Sequence, residues 1–293
     1  MAHTPLISPA ALQQALADPQ ADLLVLDCSF DLADAAAGRR QYAAGHIPGA
    51  LYVHLDDTLS AAKTGRNGRH PLPERAAFAQ ALADLGAGQR TLVVACDGAG
   101  GMYAARLWWM LRWAGHAAAA VLDGGMAAWK AEGGALQTST PQARARGDFS
   151  LRASLVAVVG YETLRERLGS GEHLVLDARA ADRFRGENET LDPVGGRIPG
   201  ARNRPFRDNL GPDGRFKPAA TLRAEFKALL GDHAPASVVN QCGSGVTACH
   251  NLLALELAGL PGTALYPGSW SEWCAQPGAP VATGTADPTT ELR

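Results

Sequence analysis

Residues 238–259 read VVNQCGSGVTACHNLLALELAG. A run of β-forming residues stops at Cys242, glycines flank Ser244, and an apolar stretch of helical spacing runs from about Thr247 to Ala258, with Gly259 as its stop. In open parallel α/β sheets ligands sit beyond the carboxyl ends of the strands, which is where this turn should lie. Gly243 and Gly245 can both adopt positive φ. The loop can therefore turn several backbone N–H groups toward one point, and the helix start adds partial positive charge there. An anion at that point is stabilised. The thiolate is the nucleophilic form of cysteine, so Cys242 is the candidate nucleophile. Cys28, Cys96, Cys249 and Cys274 lack such surroundings and are expected to be packing residues.

The elements that position this loop occur twice. LLVLDCS (23–29) matches HLVLDAR (173–179), and GHIPGA (45–50) matches GRIPGA (196–201). TLVVACDG (91–98) matches SVVNQCGS (237–244), and DGGMAAW (123–129) matches PGSWSEW (267–273). The landmarks keep one order at offsets of roughly 145 to 150 residues, which indicates tandem duplication of a domain. In the first copy LLVLD, ALYV, TLVVA and AAVLD read as strands, and PERAAFAQALADLG and MYAARLWWMLRWAG as helices. Near-continuous apolar strands alternating with helices predict an α/β fold in which each copy is a parallel sheet flanked by helices on both faces. The polar stretch GALQTSTPQARARGDFSLRA (134–153) has no helical periodicity. The expected organisation is an N-terminal domain over 1–135, a linker over 136–153 and a C-terminal domain over 154–293.

Composition narrows the function. The net charge is −2 with no long basic run, which argues against nucleic acid as a partner. No apolar run reaches the roughly 18 residues a membrane helix needs, so no membrane partner is expected. The N-terminus shows no secretory pattern, and five cysteines without a C-x-x-C spacing suit free thiols in a reducing, cytoplasmic compartment.

CGSGVTA (242–248) resembles the active-site loop of two-domain rhodanese-like sulfurtransferases, and of 3-mercaptopyruvate sulfurtransferases in particular. GHIPGA, LWWMLRWAGH (107–116), LDGGMAAW (122–129), DARAADRFRG (177–186) and YPGSWSEW (266–273) stand in the family's order. The resemblance implies an inactive N-terminal domain and a catalytic C-terminal one. It implies covalent sulfur transfer through a Cys242 persulfide, from a small anionic sulfur donor to cyanide, a thiol or a thioredoxin-like acceptor, with no metal or organic cofactor. Arg183 matches the family's substrate-binding arginine, with Arg185 a weaker candidate. The loop residues Gly243, Gly245, Val246 and Thr247 are expected to help hold the donor and the anionic persulfide. A second arginine found further on in some relatives is replaced here by ENETLDP (187–193).

Ser244 stands where thiosulfate-preferring relatives carry basic residues. A neutral hydroxyl suits mercaptopyruvate, whose enolate leaving group benefits from a proton donor. The family links that serine to a histidine and an aspartate. His46 of GHIPGA is the expected histidine, with Asp31 or Asp34 as its support. Arg197 occupies the position of His46 in the second copy, with no role assigned. Asp97 aligns with Cys242, so the first copy offers a carboxylate where the nucleophile should be. A cysteine phosphatase would need arginine six positions after the cysteine, where Ala248 stands. Two readings stay beside mercaptopyruvate as donor: thiosulfate as the main donor, and a non-catalytic persulfide carrier.

Overall fold

Short runs, most of them apolar, form the strands, and the central ones are buried because helices cover the sheets. The computed structural model describes residues 4–285. The first half contributes strands β1 (Leu6–Ile7), β2 (Leu23–Asp27), β3 (Leu51–Tyr52), β4 (Leu92–Cys96) and β5 (Ala119–Leu122). The second contributes β6 (Ala157–Val158), β7 (Leu174–Asp177), β8 (Arg202–Asn203), β9 (Val238–Gln241) and β10 (Ala264–Leu265). Every pairing is parallel. The sheet orders are β1-β5-β4-β2-β3 and β6-β10-β9-β7-β8, one topology written twice, as the duplication requires.

Side chains alternate along a strand, so each run serves two cores. In the first sheet Leu23, Val25, Val94, Cys96 and Leu122 pack with Leu12, Met126 and Trp129. Leu24, Leu26, Val93 and Ala95 point the other way and are also buried. The helix Ala104–Trp113 lies on β4 and β5 and is buried from Ala104 to Leu111. In the second sheet Val175 and Val239 pack with Phe184, Ile198, Trp270 and Trp273. The helix Ala248–Leu257 covers β9 and β10. No described helix is long and apolar enough to cross a membrane.

The chain divides into two compact units, and the division is not a single cut. Unit 1 comprises Met1–Ala61, Leu72–Leu155 and Gly211–Phe216; unit 2 comprises Ala62–Pro71, Val156–Leu210 and Lys217–Arg293. The stretch 136–153 has no regular helix and lies bonded along unit 1. There the Gly147 N–H donates to Ala83 O (2.8 Å) and the Arg152 N–H to Ala114 O (3.0 Å). The expected N-terminal domain over 1–135 included 62–71, whereas that segment is counted with unit 2.

Candidate active site

Strand β9 ends at Gln241, the helix begins at Ala248, and Cys242 opens the loop between them. Cys242 is 2% exposed. Its Sγ accepts from the backbone N–H of Gly245 (3.2 Å) and of Ser244 (3.4 Å). The N–H groups of Val246, Thr247 and Ala248 have no acceptor among the described residues. Two amides are therefore aimed at the sulfur, and the loop has donor capacity left over. Gly245 sits at φ 77°, and a Cβ there would stand 2.3 Å from Pro267 O. Gly243, expected to share that conformation, does not have positive φ. It is needed bare for a different reason: a Cβ on Gly243 would stand 2.8 Å from Arg69 Nη2.

Beneath the loop, the Cys242 N–H donates to Ser269 Oγ (3.1 Å), and Ser269 Oγ donates to Tyr266 O (2.9 Å). Ser269 has φ 54°, the only positive φ outside glycine among the described residues. That conformation costs about 1–2 kcal/mol. It places a hydroxyl under the strand end that carries the thiol. The other thiols are set differently. Burial pushes Cys28 and Cys96 well up, and pushes Cys274 to about 11. Cys249 Sγ donates to Gly245 O (3.3 Å).

Ser244 has a histidine partner, and it is His70 rather than the expected His46. His70 Nδ1 and Ser244 Oγ share a hydrogen bond of 2.7 Å, and both residues are buried. His70 belongs to the segment of the first half that is counted with unit 2. His46 is occupied locally. Its Nδ1 lies 2.9 Å from Tyr42 O, its ring stacks on Tyr42 at 3.9 Å, and its backbone bridges Gln137. Arg197, at the same place in the second copy, does the corresponding job. Its backbone bridges Ala282, its Nη1 donates to Gly284 O (2.7 Å), and its guanidinium lies over Phe184. Both positions fasten the chain that follows the last helix of their own copy. Asp31 and Asp34 are exposed and cap local turns at Ala33 and Ala36, Asp34 also pairing with Arg40.

Arg183 stands on the short helix Ala181–Arg185, which Gly186 ends in the left-handed region. Its Nε and Nη2 grip Glu189, the shortest contact being 2.8 Å, and Nη2 lies 3.5 Å from Asp192. Asp192 also pairs with Arg69. Arg179, fully buried, pairs with Asp177 at 2.7 Å and lies over the Trp270 ring. Burial works against charge on Arg179, Asp177 more than offsets it, and the guanidinium is held up. Burial likewise opposes ionisation of Glu189, but the hydrogen bonds from Arg183 prevail and its carboxyl is held down. Burial pushes Asp192 up against the pull of Arg69. Arg185 turns away to Glu187 on the surface. The ENETLDP stretch, read from sequence as a missing arginine, thus supplies the carboxylates that hold Arg183 and Arg69.

Sequence reasoning missed Arg69, His70, Glu189 and Asp192. A signal for the first two was present. GRNGRH (65–70) repeats as GPDGRF (211–216), and each stretch lies mostly or wholly in a segment counted with the other copy's unit. Arg69 then matches Arg215, and His70 matches Phe216.

The first copy shows what became of its own loop. Asp97 Oδ1 accepts from the N–H groups of Ala99 (2.7 Å) and Gly101 (2.9 Å), and Oδ2 from those of Tyr103 and Ala104 (both 2.8 Å). The amides that could receive an anion are consumed by the side chain at the nucleophile's position. Asp97→Ala should therefore leave buried donors without acceptors and cost about 3 kcal/mol of stability. The expected readings are a lower denaturant midpoint and faster hydrogen exchange at Ala99–Ala104. Unchanged exchange would mean that the carboxylate does not organise the loop.

A model of the rhodanese-like domain matches residues 8–132 and again 161–276. The chain belongs to the rhodanese family. This two-domain rhodanese is 48% identical over 286 residues to a "Probable 3-mercaptopyruvate sulfurtransferase" of Pseudomonas aeruginosa, spanning 97% of this chain and 100% of that protein. It is 37% identical over 256 residues to a thiosulfate sulfurtransferase of Mus musculus, spanning 86% and 84%. Among solved structures, the 3-mercaptopyruvate sulfotransferase of Escherichia coli superposes with a TM-score of 0.77 at 29% identity, covering 92% of this rhodanese and 99% of that chain. Like these relatives, the rhodanese described here is a sulfurtransferase.

Proposed function

We propose that this rhodanese takes sulfane sulfur from 3-mercaptopyruvate onto Cys242 and passes it to a thiophilic acceptor, either cyanide, a small thiol or thioredoxin. The observation that carries the reading is the buried Ser244–His70 hydrogen bond on the residue two places after the nucleophile. The Cys242 sulfur attacks the donor sulfur, a sulfur–sulfur bond forms, and the carbon–sulfur bond breaks. Its electron pair goes to carbon as pyruvate enolate, which must take up a proton. Ser244 backed by His70 can relay one, the donor's own thiol proton being the source. The persulfide left on Cys242 is anionic and has the N–H groups of Val246, Thr247 and Ala248 to receive it. The acceptor then attacks the outer sulfur and regenerates Cys242.

Thiosulfate needs no such relay, because sulfite leaves without protonation. The loop carries no cation at position 243 or 244, which favours the mercaptopyruvate reading. The deciding experiment compares kcat/KM for the two donors on the purified protein. A clear preference for thiosulfate would overturn the donor assignment.

Arg183 is proposed to hold the donor's carboxylate. Its Nε edge is taken by Glu189, while Nη1 has no acceptor among the described residues and lies 3.7 Å from the place a Gly243 Cβ would occupy. Arg183→Ala should raise KM with a smaller change in kcat. Loss of a charged hydrogen-bonding group costs about 1.5–3 kcal/mol, so KM should rise about 10- to 100-fold. Steady-state kinetics check it, and an unchanged KM for both donors would remove Arg183 from the site.

A further inference from the structure

The two copies treat one buried carboxylate differently. In unit 2 the residue two places after Asp177 is Arg179, and its guanidinium is held on several sides. Asp177 pairs with it at 2.7 Å, Gly196 O accepts from Nη2 (2.6 Å), and the Trp270 ring lies against it at 4.7 Å. The duplication puts Asp27, Ser29, Gly45 and Met126 at the places of Asp177, Arg179, Gly196 and Trp270. The backbone agrees with that match. The Ser29 N–H donates to Asp27 Oδ1 as the Arg179 N–H does to Asp177 Oδ1, both at 2.9 Å. The Met126 N–H donates to Asp97 O as the Trp270 N–H does to Cys242 O. Ser29 is too short to fill the space that the Arg179 side chain fills. A cavity of about 470 Å³ lies at this place in unit 1, and Asp27, Ser29, Gly45, Met126, Gln41 and Lys130 are on its wall. That volume suits a small ligand.

We propose that this cavity of unit 1 is a binding site for a small guanidino acid, whose guanidinium takes the place that the Arg179 side chain has in unit 2. Asp27 is 2% exposed, and no arginine or lysine pairs with it among the described residues. Burial pushes its carboxyl up, the hydrogen bonds from Ser29 oppose the rise, and the nearby charge of Asp97 adds to it. A cation set against Asp27 relieves both costs. Gly45 O, the counterpart of the Gly196 acceptor, receives no donor among the described residues. Gln41 Oε1 is a further acceptor, 3.4 Å from the place a Gly98 Cβ would occupy. The planar fork of a guanidinium, with five donors, suits such a spread of acceptors better than a compact ammonium does. Met126 offers a soft, adaptable surface where Trp270 offers a ring. Lys130 is exposed and has no ion-pair partner among the described residues, so a carboxylate on the same ligand also finds an opposite charge. A ligand with amines alone would meet Lys130 with like charge. The site lies wholly in the copy that lacks the nucleophile, and it stands apart from the sulfur-transfer reading of Cys242.

The test is calorimetric titration of the full chain with L-arginine, agmatine and L-citrulline. L-arginine should bind at one saturable site. L-citrulline, in which a neutral urea group replaces the guanidinium, should bind about tenfold or more weakly. Agmatine presents a guanidinium without a carboxylate, as an arginine residue of a polypeptide does, and should bind about two- to fivefold more weakly than L-arginine. Lys130→Ala should remove that last difference. Asp27→Asn should raise the Kd for L-arginine about 10- to 100-fold. Ser29→Arg, which supplies the side chain that unit 2 carries, should abolish binding and serves if Asp27→Asn does not fold. No saturable binding of L-arginine, equal binding of L-arginine and L-citrulline, or binding undiminished in Ser29→Arg would overturn the inference. Agmatine binding as tightly as L-arginine would overturn the guanidino acid and assign the cavity to the arginine side chain of a polypeptide.

Discussion

Cys242→Ser should abolish sulfur transfer from either donor, and adding Asp97→Cys should not bring it back. A serine hydroxyl cannot take up sulfane sulfur, so the covalent route closes. The wild-type protein treated with donor should gain one sulfur atom, located by peptide mass spectrometry on Cys242 and on none of the other four cysteines. The structure gives the reason for the second half of the prediction. In the first copy Gly101, Tyr103 and Ala104 offer their N–H groups to two carboxylate oxygens, an arrangement that a single sulfur atom cannot reproduce. Phe216 also stands where the repeat would need the counterpart of His70. Labelling at Cys96 or Cys249, or recovery of activity in Asp97→Cys, would break this account.

His70→Ala should separate the two donors. The imidazole shares its Nδ1 hydrogen bond with Ser244, and proton delivery to the enolate is the step proposed for the pair. Removing a positioned proton-transfer group typically costs 10²–10⁴-fold, so kcat with mercaptopyruvate should fall by about 100-fold or more. With thiosulfate, whose leaving group needs no proton, the fall should be much smaller. Ser244→Ala should behave similarly, and the double variant should be little worse than either single one, because the two act as one relay. Equal losses with both donors would mean that His70 supports the loop rather than the chemistry.

Much of the fold was legible because the strands are short, apolar and repeated in order. The periodicity of LLVLD, TLVVA and SVVNQ carried both sheets, and the turn at Cys242 followed from where β9 had to end. What was not legible depended on which segment joins which unit. His70 and Arg69 lie in a stretch with no periodicity, and only tertiary packing assigns it to unit 2. His46 drew attention through its motif, yet its position in the fold is that of a fastener, as Arg197 shows in the second copy. Glu189 and Asp192 were invisible as ligands because a carboxylate in a loop is usually a solvated charge, and its burial against arginine is not written in its neighbours. Gly243 was read for its backbone freedom, whereas the need at that position is room for another side chain.

The cradle around Asp97 has a thermodynamic consequence. A side chain bonded into its own loop is a ligand that is never diluted away, so the first copy draws stabilisation from it at any concentration of outside anion. In the proposed mechanism the unclaimed amides of the Cys242 loop gain an occupant only when the protein is charged with sulfur or donor. The bonded sulfur stays on the unfolded chain, but the contacts its charge makes with the loop amides exist only in the native form, and such contacts raise the melting temperature. The sulfur-loaded protein should therefore unfold at a higher temperature than the sulfur-free one, with the gain confined to the transition of unit 2. Discharging the loaded protein with cyanide should reverse that gain, so that resistance to heat follows the sulfur content of one half of the chain while the other half, its anion built in, keeps a constant reading.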